Sequence, residues 1–177
     1  MRFSHKFVDS YKFRHFPYKP LRNFQRFEDM SGHLIGAYYG LRDMQPHGLH
    51  GQRQRGVDYF GHDAKGAWVG VQAKLRSSGS LSCRAVAEDV REAEGFHHLI
   101  QPLRRYVIVT SALPGKKLRE LVEGRSRYHV SNRMFGIEIF FWPDVCYLLE
   151  KHPDVARRFG YKPPTLPGAY ESRGIFG

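Results

Sequence analysis

Apolar positions along the chain change rhythm several times, and each change marks an element. Leu21, Phe24, Phe27, Met30, Leu34, Ile35 and Tyr38 recur at spacings of three and four, as one buried face of a helix does. Pro17 and Pro20 stand ahead of this helix, and Gly40 is placed to end it. Over residues 42–55 the rhythm lapses into Gly, His and Arg with little apolar content, which predicts a loop. Residues 57–60 and 67–75 read as two strands around a short turn, followed by a Ser/Gly connector at 77–80. Ser82 is a natural N-cap for a helix running to about His98, with Val86, Ala87, Val90 and Ala93 inward. The β-branched run at 105–110 has the character of a strand buried on both faces. Pro114 then opens a short helix with Leu118, Leu121 and Val122 inward. Residues 135–141 form a further strand, Pro143 starts a helix carrying Val145, Leu148 and Leu149, and Pro153 restarts a last helical turn.

Strands alternating with helices predict an α/β architecture, a mixed sheet flanked by helices. A chain of 177 residues is long enough for one such core. The expected organisation is an N-terminal arm at 1–20, a domain at 21–161 and a C-terminal tail or linker from 162. In the arm, Arg2, Lys6, Lys12, Arg14 and Lys19 interleave with Phe3, Phe7, Tyr11, Phe13, Phe16 and Tyr18. Such a segment can stack on bases while its cations hold a backbone, or it can lay its aromatic rings on the domain.

Composition narrows the partners. Lys and Arg number 28 against 17 Asp and Glu, a formal charge of +11. That surplus points to an anionic partner such as a nucleic acid, because neutralising phosphates releases condensed counterions. No run reaches the roughly 18 apolar residues of a membrane span, and the first residues lack the apolar stretch of a signal peptide. Cys83 and Cys146 are too few for a disulfide framework or a four-ligand zinc site. The expectation is a cytoplasmic protein with reduced thiols and no membrane association.

Chemistry concentrates between Gly56 and Lys74. Gln72 and Lys74 alternate with Val71, Ala73 and Leu75, so the polar pair shares one strand face. Ala64-Lys65-Gly66 suits a three-residue hairpin loop ending in a left-handed glycine. The resulting register sets Asp58 opposite Gln72, within about 5 Å at the Cβ atoms. A carboxylate and an amide oxygen are hard ligands of the kind Mg²⁺ prefers. With a lysine beside them they suit phosphodiester hydrolysis, in which a divalent ion acidifies water and cations stabilise charge on the phosphate. A solvated strand face carrying an Asp–Lys contact has the same spacing. His47, His50, His97 and His98 lack a further Cys or His at metal-binding spacing.

Gly-Val-Asp58 followed by Val-Gln72-Ala-Lys74 resembles the Asp…(Glu/Gln)-x-Lys motif of the PD-(D/E)XK nuclease superfamily, and its Gln form is similar to the Mrr-like branch of restriction endonucleases. Phe27-Glu28 resembles the helix that often adds an acid to the site, and residues 51–56 resemble the loop before the Asp. Residues 107–112 resemble the later core strand, and Phe140-Phe141-Trp142 precedes a helix as in close relatives. The resemblance covers roughly residues 21–160. It implies a restriction endonuclease-like core and a Mg²⁺- or Mn²⁺-dependent DNA endonuclease. Asp58 is then the principal metal ligand, Gln72 replaces the usual glutamate, Lys74 orients water or stabilises the transition state, and Glu28 is an outer or second ligand. Arg55 stands where relatives often carry an acid. Arg53, Arg55, Arg76 and Arg84 flank the site as phosphate contacts.

The same resemblance implies work beside a sensor or ATPase module in defence against foreign DNA. Cutting both strands of a duplex further suggests a homodimer. Two other readings stay open on the residues alone: a catalytically inactive nucleic-acid-binding domain on this fold, and a basic assembly protein whose arm engages another subunit.

Overall fold

The computed structural model describes residues 16–48, 55–76 and 80–162. Helix α1 (Phe24–Tyr39) begins at Asn23, whose side chain accepts from the Arg26 N–H, and ends at Gly40 with φ 62°. The expected stripe lies inward except for Phe24, which stays half exposed on the first turn. After it come strands β1 (Arg42–Pro46), β2 (Tyr59–His62) and β3 (Trp68–Lys74). Then α2 (Cys83–Leu99), β4 (Leu103–Thr110), α3 (Lys116–Ser131), β5 (Gly136–Phe140), α4 (Trp142–Lys151) and α5 (Pro153–Arg158) follow.

The five strands form one mixed sheet in the order β1-β2-β3-β4-β5. The first two pairings are antiparallel and the last two parallel. The parallel steps need crossovers, and α2 and α3 supply them. Both advance across the sheet in the same direction, so a constant hand lays both helices on one face. There Val86, Val90, Phe96, Leu118 and Val122 pack on Tyr106, Ile108 and Ile137. Helices α1, α4 and α5 cover the other face, with Phe27, Met30, Leu34, Trp142 and Leu149 on Val69, Val71, Ala73, Val107 and Val109. Strand β4 is buried on both sides, as its apolar run requires. Each such side chain removed from water contributes about 1.5–3 kcal/mol before entropy is counted. The fold is therefore α/β with a mixed sheet flanked by helices.

Two expectations fail in detail. Residues 42–46 are an edge strand rather than loop. An edge strand pairs on one side only and needs no apolar run, and it tolerates Pro46 at its end. Asp43, at φ 50°, marks the irregularity between Arg42 and Gln45. Helix α3 is also long, at 16 residues. Its apolar stripe breaks after Val122, and its inner side continues with Ser126, whose Oγ accepts from the Ile137 N–H at 2.8 Å, and with buried His129. At the N-terminal side, Tyr18 is buried and its carbonyl accepts from Trp142 Nε1 at 3.0 Å, so the segment just before α1 packs on α4. The rest of the arm, the connector at 77–79 and the tail from 163 lie outside the described residues.

Candidate active site

The hairpin β2–β3 sets the site. Asp63 Oδ1 accepts from the backbone N–H of Lys65 at 2.8 Å and of Ala67 at 2.9 Å, holding the turn. Gly66 takes φ 79°, the left-handed position that a three-residue loop reserves for glycine. The pairing that results is Tyr59 with Val71, Phe60 with Gly70 and His62 with Trp68. This is the register read from the sequence, and it carries Asp58 beside Gln72. The backbone of Asp58 is fixed from both sides: its N–H donates to Val71 O at 2.8 Å, and its carbonyl accepts from the His47 N–H at 2.7 Å. Just upstream, Gly56 (φ 68°) lies so close to α2 that an added Cβ would stand 2.7 Å from the Asp89 carbonyl oxygen. Tyr106 Oη donates to the Gly56 carbonyl at 2.7 Å and ties this entry to β4.

Asp58 and Gln72 are both buried. Asp58 Oδ2 accepts from Gln72 Nε2 at 2.7 Å and from the Ala73 N–H at 2.7 Å. Both bonds fall on Oδ2, which leaves Oδ1 for a further ligand. Gln72 turns its NH₂ to the carboxylate, and its amide oxygen is therefore the donor it has left for a cation. Burial pushes the Asp58 carboxyl up to about 6, with Asp89 adding to the rise, while the Ala73 N–H, Lys74 and Gln72 oppose it. Glu28 is buried on α1, and burial together with the charges of Asp58 and Asp29 raises it to about 7, Lys74 opposing. It thus lies within electrostatic reach of both Asp58 and Lys74. The cluster sits at the carboxyl ends of the parallel strands β3 and β4, where open α/β sheets bind ligands.

Lys74 does not stand alone. Its Nζ meets Asp89 Oδ1 at 2.7 Å, with Asp89 buried on the inner face of α2. Sequence reading passed over Asp89. Its signal is an acid inside the apolar stripe, three residues after Val86 and four before Ala93, yet periodicity cannot say which strand residue it meets. Of the basic candidates among the described residues, Arg76 is the one whose charge acts on the cluster. It is half-buried, its backbone N–H donates to Ser111 Oγ at 2.7 Å, and its charge draws the Asp89 carboxyl down against a burial-driven rise. Arg84 is exposed at the start of α2 and pairs with Glu88 at 2.9 Å. Arg55, exposed at φ 46°, lines a cleft of about 340 Å³ with Arg91, Glu92 and Gly95. Arg53 lies outside the described residues.

The donor set fits a hard divalent cation, which the Asp58 carboxylate and the Gln72 amide oxygen would hold. Among the described residues no three side chains of the His, Cys, Asp and Glu type group closely enough to hold a metal by themselves, so the neutral amide is part of any such site. No protein-family model, no curated protein and no solved structure matches the chain. Among the described residues no helix is long and apolar enough to cross a membrane.

Proposed function

We propose that the chain is a metal-dependent endonuclease that hydrolyses DNA phosphodiester bonds on a restriction endonuclease-like core. The observation that carries this reading is the buried contact of Asp58 with Gln72, with Lys74 two residues along the same strand face. A Mg²⁺ or Mn²⁺ ion bound there supplies Lewis acidity and positive charge at the phosphate. Asp58 and the Gln72 amide oxygen hold the ion, and the Ala73 N–H fixes the carboxylate in place. Lys74 faces the same patch as a cation for the developing phosphate charge or as an orienter of the attacking water. Arg76, at the edge of the patch, and the overall charge of +11 draw the polyanion in. Two free thiols fit the cytoplasm as its place of work. A second copy for duplex cleavage, and a sensor or ATPase partner in defence against foreign DNA, extend the same reading.

One observation favours a second reading, a non-cleaving nucleic-acid-binding domain. Lys74 is held by Asp89, and a lysine kept on a protein carboxylate stabilises no phosphate. The two readings part in a plasmid assay. The nuclease nicks or cuts with Mg²⁺ or Mn²⁺, and Asp58→Ala or Lys74→Ala, while still folded, lowers the rate at least about hundredfold. A binder shows salt-sensitive DNA affinity and no metal-dependent cleavage, and that result would overturn the proposal.

A further inference from the structure

Asp89 is buried more completely, and satisfied less completely, than its ion pair explains. Its residue is 7% exposed, its Oδ1 meets Lys74, and its Oδ2 is buried with no hydrogen-bond partner among the described residues. A buried carboxylate oxygen left bare is costly, and native proteins rarely keep one without a use. Asp89 also lies against the segment that carries Asp58, its backbone carbonyl oxygen 2.7 Å from where a Cβ on Gly56 would stand. The neighbouring Arg76 has its Nε buried and likewise without a partner among the described residues, so the hydrogen bonding they provide around Asp89 is incomplete on two sides.

Charge decides what Asp89 is for. With Glu28 and Arg76 set aside, since their charges oppose each other, two carboxylates against one ammonium and a neutral amide leave the patch with one net negative charge. Without Asp89 the patch would be neutral before any cation arrived, and Gln72 adds no charge where a second acid would otherwise attract the ion. We infer that Asp89, reaching in from α2, supplies the second negative charge of the divalent-cation site, and that it exchanges the Lys74 ammonium for the cation when the ion binds. This rests on the nuclease reading above and adds to it the source of the missing charge and the release of Lys74. Once freed, the ammonium is available to the phosphate, which removes the objection raised by the ion pair.

The test measures Mn²⁺ alone, without DNA, by electron paramagnetic resonance or calorimetry on the full chain. Asp89→Asn weakens Mn²⁺ binding about ten- to hundredfold. Lys74→Met removes the competing ammonium and tightens it several-fold. Losing the ammonium relieves repulsion of the ion whatever Asp89 does, so the deciding comparison is Lys74→Met against Lys74→Met/Asp89→Asn. A cation-holding Asp89 predicts that the loss caused by Asp89→Asn persists in the double variant, and a carboxylate that merely props up Lys74 predicts that it vanishes. The double variant binding within twofold of Lys74→Met, while Asp58→Asn abolishes binding, would sink the role of Asp89 and leave the nuclease reading standing. A native chain that binds no Mn²⁺ would overturn both.

Discussion

Two ion pairs stand at opposite ends of the sheet, and they are built differently. At the amino-terminal end of the parallel strands, Arg105 pairs with Glu138 of β5 at the surface. The Arg105 guanidinium lies 4.7 Å from the centre of the Tyr39 ring, and Tyr39 Oη donates to Glu138 Oε2 at 2.5 Å. Each oxygen of that carboxylate has a donor. At the carboxyl-terminal end, Lys74 and Asp89 are more deeply buried, and one Asp89 oxygen has no partner among the described residues. The first pair is a finished contact that ties α1 to β4 and β5. The second is one contact among buried carboxylates whose proton affinities are all raised. Raised carboxylates and an incomplete hydrogen-bond set are what the proposed cation site would require before its ion binds.

The sharpest way to break this contrast is at Gly56. An added Cβ would meet the α2 backbone at 2.7 Å in a backbone conformation that L side chains rarely adopt. Gly56→Ala is therefore expected to cost about 2–4 kcal/mol and to lower Mn²⁺ affinity with it, read by urea unfolding and metal titration. Retained affinity would mean that the approach of this segment to α2 does not position Asp58.

A smaller effect separates the two ends by pH. The Asp58 carboxyl stands at about 6 in the folded chain against an ordinary value of 3.8. The folded state therefore holds its proton more tightly, a stabilisation fully present below the ordinary value and lost as pH rises through about 6. Between pH 5 and pH 8 this should cost the native chain about 1–2 kcal/mol relative to Asp58→Asn. Mg²⁺ at pH 8 should restore it in the native chain but not in the variant. By the same sign, metal binding and cleavage weaken as pH falls through about 7 to 6, the values of Glu28 and Asp58. A flat stability difference over that range would show that the carboxylate is not held as described.

The smallest effect belongs to the finished pair. Glu138→Gln should cost less than about 1 kcal/mol, because both partners are more than a third exposed. It should leave Mn²⁺ affinity and its pH dependence untouched. A loss of metal binding there would erase the distinction between the two ends.

Much of this was legible in the residues. Asp63 and Gly66 determine the turn, the turn determines the register, and the register puts Asp58 against Gln72. Ser82 caps α2 as expected, its Oγ accepting from the Ala85 N–H at 3.2 Å. Edge strand β1 was hidden because hydrogen bonding to β2, not apolar content, makes it a strand. The far half of α3 was hidden because Ser126 and His129, two polar residues, continue its inner side. Asp89 was hidden for a different reason. Its partner, Lys74, lies on a strand 15 residues back, and only the packing of α2 against the sheet brings the two together. Which side of the Gln72 amide meets Asp58 is likewise settled by the carboxylate and not by the spacing.

The hydroxyl of Tyr106 makes the carboxylate at position 58 answerable to distant packing. The Tyr106 ring leans on Phe135 at 5.8 Å, and Phe135 in turn meets His129 and His97. A change of volume in that remote aromatic nest would travel through one phenol to the peptide of Gly56, two residues before Asp58. Tuning of the strand that carries Gln72 and Lys74 from the far flank of the molecule needs no direct touch, only a tilt of that ring.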